Sequence, residues 1–127
     1  MIEFNLDPKS GVPFYRQIID QIRYGIAIGS LSVGEQLPTV RALAVDLKVN
    51  LNTVSKAYKE LEIQNIIETQ QGTGTFIGDV KLVIPEKEKH NKLDNIVTEF
   101  TTIAVSYGFT IKDLIIHLNN KMGGQDD

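Results

Sequence analysis

Two short amphipathic patterns, separated by only three residues, constrain this chain more than any other feature. Within each pattern the apolar residues recur at the i, i+3, i+4, i+7 spacing of a single helix face. These faces are Val40, Leu43, Ala44 and Leu47 in the first pattern and Val54, Ala57, Tyr58 and Leu61 in the second. Residues 48–50 leave room only for a tight turn, and Thr39 stands where a hydroxyl caps the first helix. The pair predicts a helix-turn-helix.

A longer helix precedes this pair, and a β-hairpin follows it. From Pro13 to Ile28 apolar residues recur every fourth position, and Tyr15 widens that stripe. Pro13 stands in the first turn, which tolerates a residue without an N–H. Beyond the pair, two β-branched or aromatic runs flank the segment 70–74, whose two glycines predict a tight turn. Helices followed by a hairpin predict a winged helix over residues 1–78.

Residues 79–127 predict a linker and two further helices. The mixed charges at 86–90 fit either a solvated linker or the exposed first turns of a helix. Thr110, with Asp113 three residues later, resembles a capping box that opens the last helix. Residues 123–127 are expected to fray. The apolar positions of these two helices are Leu93, Ile96, Val97, Phe100, Ile103, Ala104, Tyr107, Leu114, Ile115 and Leu118.

Two helices of this length cannot bury two wide apolar stripes against each other alone. We expect a second copy of the chain to cover the ten apolar positions, as a symmetric homodimer that is either swapped or simply packed. The alternative is that both helices fold back onto their own winged helix. The predicted fold class is therefore mainly α with a small β-hairpin, a winged helix-turn-helix followed by a two-helix dimerisation tail.

Composition and charge narrow the function classes. The chain has no cysteine, and His90 and His117 lack the spacing of metal ligands, so we expect no metal and no cofactor. Nothing in the pattern of nucleophiles and carboxylates indicates an enzyme. The N-terminus lacks the regions of a signal peptide, and no apolar stretch is long enough to cross a bilayer, so we expect a cytoplasmic protein without membrane contact.

The net charge of −3 by itself argues against nucleic acid, but the distribution of charge matters more. Residues 41–59 contain four basic residues and one acidic residue, a local charge of +3. Such a field acts over about 8 to 10 Å, whatever charge the far side of the molecule carries. The second helix of the pair therefore has a polar, basic outer face.

This polar face has the side chains that DNA recognition needs. Asparagine can pair with adenine, lysine can reach guanine or phosphate, and the methyl group of threonine can contact thymine. The glycine turn of the hairpin is either a simple tight turn or a tip small enough to enter a minor groove. The predicted contacts to double-stranded DNA are Thr39, Arg41, Asn50, Asn52, Thr53, Lys56, Gln71, Gly72 and Thr73. The alternative function is a winged helix that binds protein, with the apolar tail docking a foreign partner.

Three blocks, in order, are similar to the GntR family of bacterial transcription regulators. They are Gly34–Ala44 (GEQLPTVRALA), Val49–Tyr58 (VNLNTVSKAY) and Gly72–Ile77 (GTGTFI), and the resemblance spans about residues 12–78. The second block and the short helical tail resemble the YtrA-type subfamily. The resemblance implies a winged-helix DNA-binding domain, a homodimer and an inverted-repeat operator. It leaves open which genes are controlled and whether a small-molecule effector binds.

The resemblance also assigns roles to single residues. It places the family's phosphate- and base-contacting arginine at Arg41, its recognition-helix contacts at Asn50, Asn52, Thr53 and Lys56, and its wing contacts at Gln71 and Gly72. At two positions where many members carry arginine, this chain has Leu51 and Ser55. We therefore expect half-sites richer in A·T pairs. Separately, we expect the regulator to be a repressor.

Overall fold

The computed structural model describes residues 2–125 and contains five helices and three strands in that range. The helices are α1 (Phe14–Ala27), α2 (Val40–Leu47), α3 (Leu51–Ile63), α4 (Glu86–Ser106) and α5 (Ile111–Gln125). The strands are β1 (Gln36–Leu37), β2 (Ile67–Gln70) and β3 (Gly74–Ile77). The chain divides between Ile84 and Pro85 into two compact units. The order of elements confirms the predicted fold class.

The core of the first unit is built from the predicted helix faces. In α1 the buried residues are Ile18, Ile19, Ile22 and Gly25. In α2 they are Leu43 and Ala44, and in α3 they are Val54, Ala57, Tyr58 and Leu61. Because each helix turns by about 100° per residue, these spacings put every buried side chain of a helix on one side. The opposite side of α3 is left exposed.

The N-terminal segment is held against α1 by two glutamine side chains. The Gln21 amide bonds both backbone groups of Asn5, at 3.0 and 2.6 Å. One turn earlier, the Gln17 amide bonds both backbone groups of Asp7, each at 2.8 Å. The two side-chain amides thus provide the hydrogen-bond partners that the backbone of an extended segment usually finds in a neighbouring strand.

The sheet has one strand more than the predicted hairpin. Its three strands are antiparallel in the order β1-β3-β2, with Gln36 opposite Phe76 and Leu37 opposite Thr75. A two-residue strand has no alternation from which it could be predicted. The third strand ties the hairpin to the segment that leads into α2.

The first unit extends past the predicted boundary after Gly78. Leu82 packs against the core, and Ile84 is buried. The division therefore falls where the charged run begins. The composition of residues 86–90 fitted either a solvated linker or the first turns of a helix. In the structure these residues form the first turns of α4.

In the second unit the predicted capping box is present. The backbone N–H of Thr110 donates to Oδ2 of Asp113 at 2.9 Å, and the N–H of Asp113 donates to Oγ1 of Thr110 at 3.1 Å. Helix α5 runs to Gln125, so the prediction that residues 123–125 fray is wrong; Asp126 and Asp127 lie outside the described residues.

Candidate nucleic-acid interface

The start of α2 is a capped helix end with an exposed arginine in its first turn. Oγ1 of Thr39 accepts a hydrogen bond from the N–H of Ala42 at 3.0 Å, which confirms the predicted N-cap. The remaining N–H groups of a first helical turn have no carbonyl partner inside the helix and favour anions. Arg41 is exposed beside them. This end of α2 can hold a phosphate group.

The N-terminal half of α3 presents the predicted amide side chains. Asn50 is the N-cap of α3: its Oδ1 accepts from the N–H of Asn52 at 2.8 Å. Since that oxygen already accepts one hydrogen bond, the NH₂ group of Asn50 is the part of its amide that is more available to a ligand. Asn52 is exposed and Thr53 is half-buried. Asn52 therefore has the freest amide on this surface.

Lys56 lies on the side of α3 that faces α1. Its Nζ is 4.0 Å from the centroid of the Tyr15 ring, and Cζ of Arg16 is 5.6 Å from the same centroid. The Arg16 guanidinium is also 3.6 Å from a carboxylate oxygen of Glu60. The sequence assigned Tyr15 only to an apolar stripe, whereas the structure has it half-buried with its ring against the Lys56 ammonium. The cationic surface of α3 therefore continues onto the first turn of α1.

Leu51 lies on the other side of α3, towards α2. It lines a shallow depression of about 380 Å³. The other residues that line this depression are Arg41, Ala44, Val45, Lys48 and Val49. Lys48 ends α2 in the left-handed conformation, with φ of 58°, and turns the chain tightly into α3. The exposed face of α3 is thus bounded by an aromatic contact on one side and an apolar depression on the other.

The hairpin tip is exposed and tightly turned. Gln70 pairs with Gly74, which leaves Gln71, Gly72 and Thr73 as the loop, and the N–H of Thr73 donates to the carbonyl of Gln70 at 2.9 Å. Gly72 has φ of +80°, and no atom lies within 4 Å of the position that a Cβ would take. Glycine is therefore favoured there by the backbone conformation and not by a close contact. All three tip residues are exposed. The tip is small enough to enter a groove.

One segment, Gln36–Thr39, connects these surfaces. Its strand pairs with β3, and the Gln36 amide donates to the carbonyl of Thr73 at 3.3 Å. The buried Tyr58 hydroxyl of α3 donates to the Pro38 carbonyl at 2.7 Å. Burial raises the pKa of Tyr58 well above its ordinary value, so the hydroxyl keeps its proton. The start of α2, the helix α3 and the wing tip are therefore held on one framework; sequence reasoning identified the three surfaces but not the contacts that link them.

Among the predicted tail contacts, all but two are exposed. Ala104 is buried within the second unit and Leu114 is half-buried, so neither offers much surface to a partner. The exposed ones are Leu93, Ile96, Val97, Phe100, Ile103, Tyr107, Ile115 and Leu118. Large apolar side chains exposed in such number are what an interaction surface would need.

Over residues 2–125 no group of three or more histidine, cysteine, aspartate or glutamate side chains could hold a metal ion. None of the helices in that range is both long and apolar enough to span a membrane.

A family model for bacterial regulatory proteins of the gntR family matches residues 14–77. The HTH-type transcriptional repressor YtrA from Bacillus subtilis (strain 168) is 50% identical over 74 residues, which are 58% of this chain and 57% of that protein. The matches cover 57%, 64% and 60% of YtrA and of two further curated relatives, so the chain spans less than two thirds of their length.

Solved structures of similar proteins agree with this match. A transcriptional antiterminator from Listeria monocytogenes EGD-e has a TM-score of 0.60 at 34% identity, covering 98% of this chain and 92% of that chain. The DNA-binding domain of AraR, crystallised in complex with operator ORE1, has a TM-score of 0.50 at 27% identity, covering 61% of this chain and 95% of that chain.

Proposed function

Because this chain belongs to the GntR family of bacterial regulatory proteins, we propose that it represses transcription by binding an inverted-repeat operator as a homodimer. The observation that carries this proposal is the shared framework of three exposed surfaces: the capped start of α2, the amide-bearing face of α3 and the wing tip. In the proposed complex α3 lies in the major groove and the wing tip in the minor groove.

Roles follow from the positions of the side chains. Arg41 and the first turn of α2 contact phosphate, as does Lys56 from its place beside Tyr15. Asn52 contacts a base edge, aided by the NH₂ group of Asn50 and by Thr53. Gln71, Gly72 and Thr73 contact the second groove. The relative from Bacillus subtilis is a repressor, which supports the proposed direction of control.

The apolar faces of α4 and α5 support the homodimer. A second copy would cover the eight exposed tail residues and relate two α3 helices by two-fold symmetry. The half-sites of the operator would then lie about 10 base pairs, or a multiple of that, apart. A protein that acts on the chromosome works in the bacterial cytoplasm.

The test is DNA selection followed by titration with salt. The full chain is used to select fragments from its own genome, and affinity for the selected sites is measured at several salt concentrations. Because each phosphate contact releases counterions, log K is expected to fall steeply and linearly with log salt. Arg41→Ala should weaken binding to every sequence and lower that slope by about one.

Lys112→Ala is the matched control, since Lys112 is an exposed cation in the second unit. It should leave both the affinity and the slope unchanged. Failure to select any fragment, or binding that ignores salt, would favour the alternative of a winged helix that binds protein.

A further inference from the structure

Leu51 is an apolar side chain at the first helical position of α3, with 41% of its surface exposed. Single exposed leucines are ordinary on protein surfaces. This one, however, stands between the Asn50 cap and Asn52, in the half of α3 that enters the groove in the proposed function. A leucine there forms no hydrogen bond to a base, so whatever it recognises must be apolar.

The surroundings of Leu51 indicate what that group is. Leu51 shares its depression with Ala44, Val45 and Val49, which make the lining largely apolar. Val45 is itself highly exposed. Arg41 and Lys48 line the same depression and are both exposed. The depression thus fits an apolar group that is flanked by anions.

Duplex DNA offers one such group in its major groove. The 5-methyl group of thymine is the only methyl group that an unmodified base pair presents there, and phosphates border it along the strand. A G·C pair has no methyl group there, so leucine would desolvate its polar atoms without gaining an apolar contact of that size. A depression with an apolar lining and two cations therefore favours thymine.

We propose that Leu51 recognises the 5-methyl group of a thymine in each operator half-site, with Arg41 and Lys48 on the neighbouring phosphates. This inference rests on the proposed function and specifies its sequence preference. Burial of one methyl group corresponds to about a fourfold change in affinity. Leu51 then supplies discrimination by shape and hydration, while Asn52, one residue later, supplies it by hydrogen bonding.

The experiment replaces single thymines of a selected operator by deoxyuridine, which removes only the methyl group. At one thymine per half-site the wild-type chain should lose about fourfold in affinity for each methyl group removed. Leu51→Ala should bind the thymine and deoxyuridine operators equally. Leu51→Gln, which keeps the length of the side chain but not its apolar surface, should do the same and guards against a folding defect in the alanine variant.

Ile63→Ala is the matched control, because Ile63 is also apolar and exposed on α3, by 72%, but lies in its last turn. It should keep the full preference for thymine. The inference is overturned if no thymine methyl group affects binding, or if the Leu51 variants keep the wild-type preference. In both cases salt-dependent operator binding would remain, whereas an absence of selected DNA would overturn the proposed function as well.

Discussion

At the scale of single residues, the structure gives Tyr15 a contact that the sequence pattern did not predict. Tyr15 packs against the core, as its place in the apolar stripe of α1 predicts, and its ring also contacts the Lys56 ammonium. A cation over an aromatic face gains about 0.5 to 1 kcal/mol at an exposed site. Because the ring restrains a long and flexible side chain, less entropy is lost when Lys56 meets a phosphate. In the proposed function, Tyr15 would thus be a positioning residue for Lys56.

We predict that Tyr15→Leu weakens operator binding by about two- to fivefold, the range that this contact energy represents. Tyr15→Phe keeps the ring face and should bind as the wild type does. In a Lys56→Ala background the leucine substitution should have no further effect, because the contact it removes is already gone. Affinities at one fixed salt concentration provide the measurement; an equal loss with and without Lys56 would show that Tyr15 acts in some other way.

At the scale of elements, the helix ends are where local sequence acts most directly. Thr39 and Asn50 cap α2 and α3, and Thr110 with Asp113 caps α5. The N–H of Thr110 holds the pKa of Asp113 below its ordinary value, and the bond between the two side chains and the nearby His117 lower it further. A lowered pKa in the folded state means that the ionised carboxylate stabilises the fold. That contribution is complete above the ordinary value and is lost as pH falls through the lowered one.

The amide proton of Thr110 should therefore report the titration of Asp113. Its NMR resonance is expected to shift with a midpoint below 3.8, the ordinary value for aspartate. Asp113→Asn keeps the shape of the cap without a titratable group, so the shift should vanish in that variant. A midpoint at or above 3.8 in the wild type would contradict the assignment of this hydrogen bond as stabilising.

At the scale of the whole molecule, the two units present surfaces of different kinds. The first unit buries its apolar faces in a core and exposes cations, amides and a glycine turn. The second exposes most of its large apolar side chains, which two helices alone cannot cover. The proposed interface between two copies of this chain would cover that exposed surface, and two-fold symmetry would present two α3 helices to one operator.

Replacing one exposed tail residue by a charge should separate the copies. Phe100→Asp puts a carboxylate in the apolar surface, where it is costly to bury without a partner, and should convert a dimer into a monomer in sedimentation. Val83→Asp is the control, since Val83 is 81% exposed but lies in the first unit. It should remain dimeric. If the Phe100→Asp variant is still a dimer, the interface lies elsewhere on the chain. If the wild-type chain is a monomer, the proposed homodimer is wrong.

The similarity to YtrA confirms the sequence resemblance to the GntR family and its YtrA-type members, and the winged helix follows from it. The predicted DNA contacts and the homodimer remain proposals. Predictions from the sequence failed at the short strand β1 and at the helical residues 123–125. In both places only two or three residues are involved, so the sequence has too few positions to show a helix or strand periodicity. The secondary structure there depends on the neighbouring elements.

By itself, the sequence determined where α1, α2 and α3 lie, which face of each of these three helices is buried, and where α2 and α5 are capped. Those features depend on periodicity and on side chains within one turn of each other, so the local chain contains them in full. Tertiary structure alone decided that Lys56 meets Tyr15, that Tyr58 holds Pro38 and that Leu51 opens into a depression with Arg41. These contacts join residues from different elements, and their distances depend on how the helices pack rather than on any spacing along the chain.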